Sequence, residues 1–157
     1  MNVSNPESNE YLKPLCASHN ASFITYHIVW GTHHRRRLTD ANSDNAMEII
    51  SNICDEKGYT ILNLAIAGDH VHLLLKAKPT DTVAEMVKYI KGKSSYELGK
   101  MVDGDSDNGI WAKGYYAETV GNRTVAQIKS YIDKQKEHHS SYGSEGEEDG
   151  LKPIVIR

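Results

Sequence analysis

His70-Val71-His72 places two imidazoles one residue apart at the head of an apolar run, Leu73-Leu74-Leu75. Alternation along an extended strand puts His70 and His72 on one face and Val71, Leu73 and Leu75 on the other. Neutral imidazole is the commonest metal ligand, and two rings on neighbouring same-face positions can reach one ion. Two hydrogen-bonded histidines on a half-buried sheet face are the alternative, and the pair by itself leaves both readings open. Tyr131 and Gln135 form a second pair, four residues apart and therefore one above the other on a helix that opens at Thr124 and Gln127. A glutamine oxygen can complete a three-ligand site for a hard divalent ion such as Mg²⁺ or Mn²⁺, with the tyrosine hydroxyl one turn earlier as a nucleophile beside it. A boundary tyrosine and a solvated glutamine are the simpler reading of these two residues taken alone.

The elements that must position these groups follow in chain order. Residues 1–20 are polar, carry Pro6 and Pro14, and read as a tail or an irregular lead-in. From Ser22 to Trp30 the β-branched and aromatic residues are dense enough for a central strand buried on both faces. His27 shares the parity of Phe23 and Val29 there and reads as a packed residue. Ala46, Ile49, Ile50, Ile53 and Cys54 recur at helical spacing from about Asp44 to Lys57, and Gly58 supplies the stop. Tyr59 to Ile66 alternates as a strand, Ala67-Gly68-Asp69 turns, and the histidine strand returns antiparallel. Thr82 and Glu85 cap a second helix, which Lys91-Gly92-Lys93-Ser94-Ser95 is expected to break or bend. Gly114 to Val120 reads as a last strand and the segment from Thr124 as a last helix. The order β-α-β-β-α-β-α predicts an α+β fold, a ferredoxin-like or RRM-like sandwich with an added C-terminal helix. Its first and third strands are central, so His70 and His72 fall mid-sheet, on the face the added helix must cover.

A chain of 157 residues, 39% of them apolar, makes one domain. The expected division is a polar tail over 1–20, a catalytic domain over 21–139 and an acidic tail over 140–157. The net charge of −3 comes from the tails, because residues 20–139 hold fifteen basic and fifteen acidic side chains. Within that neutral body Arg35, Arg36 and Arg37, with Lys88, Lys91, Lys93, Lys100 and Ser94, are the candidates for contact with phosphates. Cys16 and Cys54 are too few for a disulfide framework and too far apart for a zinc pair, which suits a reducing cytosol. With no apolar run of membrane length and no basic-then-apolar leader, the expectation is a cytoplasmic protein.

The order of motifs resembles the single-tyrosine HUH transposases, which move insertion sequences as single-stranded DNA. The resemblance is carried by Tyr26-His27-Ile28-Val29-Trp30, Asp69-His70-Val71-His72-Leu73-Leu74, Lys91-Gly92-Lys93-Ser94-Ser95, Trp111, Gly114-Tyr115-Tyr116, Thr119-Val120-Gly121 and Tyr131-Ile132-Asp133-Lys134-Gln135. It implies a Mg²⁺ or Mn²⁺ ion held by His70, His72 and Gln135, and Tyr131 on the added helix as nucleophile. It further implies cleavage and rejoining of single-stranded DNA, from hairpin-bearing element ends, through a 5′-phosphotyrosine. A homodimer with active sites shared in trans is implied as well. The long polar N-terminus, the acidic C-terminal extension and the neutral body depart from the family pattern. An HUH replication initiator or relaxase is the enzyme alternative, although such chains are normally larger. A non-catalytic single-stranded nucleic-acid-binding module on the same sandwich is the other. A histidine-triad hydrolase is excluded, because its third alternating position holds Leu74.

Overall fold

A computed structural model describes residues 13–102, 109–121, 127, 129–130 and 132–134. Two short strands, β1 (Leu15–Ala17) and β2 (Asn20–Ser22), form a hairpin ahead of the main sheet. Then come β3 (Ile24–Gly31), α1 (Asp40–Lys57), β4 (Thr60–Ala67), β5 (His70–Ala77), α2 (Val83–Gly99) and β6 (Tyr116–Thr119). The sheet order is β4-β5-β3-β6 with every pairing antiparallel, so β3 and β5 are central. The α+β sandwich read from the sequence is the fold.

Side-chain alternation divides this sheet into two faces. Ile28 and Trp30 of β3 and Val71, Leu73 and Leu75 of β5 are buried in one cluster with Ile50 and Ile53 of α1 and Met86 and Ile90 of α2. Fully burying each such side chain stabilises by about 1.5–3 kcal/mol, which makes this dry layer the main source of stability. Among the described residues no helix is long and apolar enough to cross a membrane.

Several boundaries differ from expectation. Helix α1 begins four residues early, at Asp40, because the Thr39 hydroxyl accepts from the Asn42 amide at 3.2 Å and caps it. Helix α2 runs unbroken through Lys91–Ser95. Gly92 costs only about 1 kcal/mol in a helix interior, whereas Met86, Val87, Ile90, Ser94 and Leu98 keep one continuous buried stripe. The lead-in is not wholly irregular: the β1–β2 hairpin sits in it, and Lys76 donates to the Lys13 carbonyl at 2.6 Å. Strand β6 starts at Tyr116 rather than Gly114. The carbonyls of Ala112, Lys113 and Gly114 point instead at the Lys91 ammonium, at 2.6, 3.2 and 2.8 Å.

Candidate active site

Register assembles the site. Antiparallel pairing sets Gly31 opposite His70, Val29 opposite His72 and His27 opposite Leu74, and on the other side of β3 it sets His27 opposite Glu118. These residues share the face away from α1 and α2, and His27 lies diagonal to His72. Two imidazoles on β5 thereby gain a third from β3 and a carboxylate from β6.

His70 is oriented from the turn that precedes it. Its Nδ1 lies 2.6 Å from Asp69 Oδ1, and the same carboxylate accepts from Arg35 Nε at 3.0 Å. Burial pushes the Asp69 carboxyl up, but hydrogen bonds from Arg35 and His70, together with their charges, outweigh it and hold the group below its usual range. An ionised carboxylate only accepts, so the ring proton sits on Nδ1 and the lone pair on Nε2. A carboxylate behind a histidine is the usual support for a metal ligand. Arg35 reaches it from a left-handed backbone, φ 54°, directly after His34 at φ 54°. Such conformations cost of order 1–3 kcal/mol each and cluster at functional sites. The turn is pinned as well by the Thr32 amide on the Asp69 carbonyl at 2.8 Å and the Leu38 amide on the Gly68 carbonyl at 3.2 Å.

His72 is held from the opposite side. Its Nδ1 lies 3.4 Å from His27 Nε2, and His27 Nδ1 lies 3.0 Å from Glu118 Oε1. Burial, followed by the nearby His27 and His70, pushes the His72 pKa down to about 4. The ring is therefore neutral at pH 7, the form that binds metals. Gly31 lies beside the His70 ring: a Cβ there would stand 3.8 Å from His70 Nε2, in ordinary van der Waals contact, and glycine leaves that side of the nitrogen open. A neutral His72 and an open approach to His70 Nε2 fit a divalent ion. Among the described residues no group of three His, Cys, Asp or Glu side chains could hold one, and His70 and His72 are the described members of the expected ligand set.

Tyr131 and Gln135, the expected nucleophile and third ligand, lie outside the described residues, as does the Thr124 cap. Their neighbours show where the last helix lies. Ile132 is fully buried with Ala65, Leu74 and Val120, on the histidine face of the sheet. Asn63 Nδ2 donates to Asp133 Oδ1 at 3.0 Å and to the Lys129 carbonyl at 3.4 Å. Within the single chain, Lys129, Ile132 and Asp133 therefore lie against the histidine face of their own sheet.

Among the expected phosphate contacts Ser94 needs correction, and several others have partners within the fold. Ser94 is fully buried, bonding the Lys91 carbonyl and accepting from Trp111 Nε1 at 2.8 Å, and so cannot meet DNA. Lys91 is committed to three carbonyls, and burial lowers its pKa. Lys93 pairs with Glu56 and lies near the Tyr89 hydroxyl and ring. Arg35 serves Asp69, and the Arg37 guanidinium packs over Gly68. Arg36 remains an exposed cation, and the expected candidate Lys88 borders a 390 Å³ cleft with Trp111, Tyr115 and Lys113, the last of which was not singled out in the sequence. His27, Glu118 and Asp69 were missed too. The available signal was the shared parity of His27 and Val29, which the observed register of β3 against β5 turns toward the histidines.

The family model for IS200-like transposases matches residues 20–135. The chain belongs to the IS200-like transposase family. The transposase for insertion sequence element IS200 of Salmonella typhimurium is 35% identical over 117 residues, 71% of this chain and 76% of that one. The ISDra2 transposase TnpA of Deinococcus radiodurans is 29% identical over 117 residues, covering 71% of this chain and 84% of that one. Among solved structures, a candidate transposase from Deinococcus radiodurans R1 superposes with a TM-score of 0.64 at 28% identity, over 77% of this chain and 97% of that one. A REP-associated tyrosine transposase bound to a REP hairpin shares the fold, with a TM-score of 0.58 at 13% identity, over 79% of this chain and 74% of that one. As an IS200-like transposase the chain is an enzyme, and the histidine face of its sheet is the candidate for where it works.

Proposed function

We propose that this transposase cleaves and rejoins single-stranded DNA at insertion-sequence ends, with Tyr131 as nucleophile and His70, His72 and Gln135 as ligands of Mg²⁺ or Mn²⁺. The observation that carries the reading is the Asp69–His70 support beside a neutral His72, two imidazoles on one face of the central strand of a transposase fold. When bound, the ion supplies a Lewis acid that polarises the scissile phosphate and offsets its charge. Tyr131 attacks that phosphorus, its oxygen forming the new P–O bond while the P–O3′ bond breaks. The products are a 5′-phosphotyrosine and a free 3′-hydroxyl. Attack by the 3′-hydroxyl of another strand reverses the exchange and restores the tyrosine, so no nucleotide need be hydrolysed. Exposed Arg36, Lys88 and Lys113 are the cations proposed to meet the backbone phosphates of a hairpin-bearing end.

The working unit proposed here is a cytoplasmic homodimer with shared sites. Exchange of the last helix between two copies would keep Ile132 against Ala65 and Leu74 and keep the Asn63–Asp133 bond, now between subunits, at little cost. Strand β6, at one edge of the sheet, offers a surface for two-fold pairing. The test mixes His70→Ala/His72→Ala chains with Tyr131→Phe chains, each inactive alone. Recovered cleavage of end strands after subunit exchange supports trans sites. A mixture that stays inactive while both proteins bind DNA and wild type cleaves it refutes them. Undiminished wild-type cleavage in EDTA refutes the metal assignment.

A further inference from the structure

Two of the three imidazoles on this face are accounted for as ligands; His27 and Glu118 are not. His27 is 3% exposed, a costly place for a ring with two polar nitrogens unless both are bonded. Both are, to Glu118 on one side and His72 on the other, at 3.0 and 3.4 Å. The rings of His27 and His72 are inclined by only 17°, with centroids 5.7 Å apart. That separation exceeds the N···N distance by about one ring's width, so the rings lie end to end along the hydrogen bond instead of face to face. Glu118 is itself steadied, since the Tyr116 hydroxyl donates to its other carboxylate oxygen at 3.1 Å.

The direction of this chain follows from its outer end. Glu118 as carboxylate can only accept, so His27 must carry its proton on Nδ1. With one proton per ring, His27 Nε2 is then an acceptor and His72 Nδ1 the donor to it. The His72 lone pair is left on Nε2, the nitrogen that Asp69 selects independently on His70. We propose that Glu118 and His27 are positioning residues that lock His72 in its Nδ1–H tautomer and aim Nε2 at the metal. This rests on the metal reading of His70 and His72, and it extends the outer shell of the site across three strands to the sheet edge.

The test has two readouts. The first is the tautomer of each histidine in the metal-free protein, from long-range ¹H–¹⁵N correlation of the imidazole nitrogens. Wild type should show His27 and His72 protonated at Nδ1, the minority form of a free histidine side chain. Glu118→Ala should lose that preference at both rings while His70 keeps it. Tyr116→Phe, which removes the other bond to Glu118, should leave all three unchanged. The second readout is Mn²⁺ affinity by calorimetry. Loss of such outer-shell partners weakens metal binding roughly 10–100-fold, and Glu118→Gln, whose amide oxygen can still accept, should lose less than Glu118→Ala. Glu118 is partly exposed at the sheet edge, so these variants should fold, and a thermal melt checks it. An Nε2–H tautomer of His72 in wild type, or the same tautomers and Mn²⁺ affinity in Glu118→Ala, overturns the proposal. Absence of Mn²⁺ binding in wild type instead overturns the metal reading and the proposal with it.

Discussion

On one face of the central strands Trp30, Ile28, Val71, Leu73 and Leu75 are buried against two helices; on the other, displaced by one residue, stand His27, Val29, His70 and His72. The first face is apolar throughout, and its contribution is area removed from water. The second is divided. Toward one end Leu74, Ala65, Val120 and Ile132 make a small apolar cluster that seats the last helix, and toward the other the imidazoles are bonded to carboxylates on both flanks. A strand with period two can therefore carry stability and chemistry at once, because each is confined to alternate residues. The site is as rigid as the sheet, since its polar side chains stand on the same backbone that the dry layer fixes.

Truncating adjacent residues of β5 should separate the two faces most strongly. Leu73→Ala should cost about 2–5 kcal/mol of unfolding free energy through lost burial and a residual cavity. It should leave the cleavage rate per folded molecule nearly unchanged. His72→Ala should do the reverse, abolishing cleavage while shifting stability far less. Denaturant unfolding alongside a single-strand cleavage assay reads both, and equal loss of activity in the two variants would dissolve the distinction between faces.

Ile132→Ala probes the apolar end of the histidine face. Its side chain is fully buried yet belongs to one terminal helix, so about 2–4 kcal/mol is expected from the truncation. The loss should appear first as faster hydrogen exchange in the last helix and a lower cleavage rate, with the α1 and α2 amides still protected. Global exchange in step with the helix would mean that this segment is part of the main core.

A smaller effect concerns pH. His72 has a folded pKa pushed from 6.5 down to about 4 by burial, then by His27 and His70. Below pH 6.5 the unfolded chain takes up a proton at this residue that the folded chain refuses, so stability is complete above that value and falls as pH drops toward 4. The loss should reach roughly 1–3 kcal/mol. Denaturant titrations from pH 7 to 4 should show it, and His72→Gln should flatten that part of the profile. An unchanged slope in the variant would place His72 in contact with water.

Parity is a local property, which is why the His70–His72 pair, the buried Leu73 and Leu75 and the β-α-β-β-α-β order were legible in the sequence. Register is not local. Glu118 lies 91 residues from His27, and only the pairing of β3 with β6 makes them neighbours. His27 accordingly read as a packed residue. Ser94 was misread for the same reason, and the partners of Lys91 and Lys93, Ala112 and Glu56, are likewise supplied by the fold. The β1–β2 hairpin left no pattern, because Leu15–Ala17 and Asn20–Ser22 hold too few apolar residues to alternate.

The proposal that the histidine face serves a tyrosine nucleophile on the last helix is open to direct test by mapping the covalent adduct. The folded protein is incubated with hairpin-bearing single-stranded element ends and Mn²⁺, denatured, digested and sequenced by mass spectrometry. The account predicts a 5′-phosphorylated nucleotide on the peptide containing Tyr131, absent with EDTA and absent from Tyr131→Phe and His72→Ala. An adduct on Tyr115 or Tyr116, or one that forms undiminished in EDTA, would contradict it.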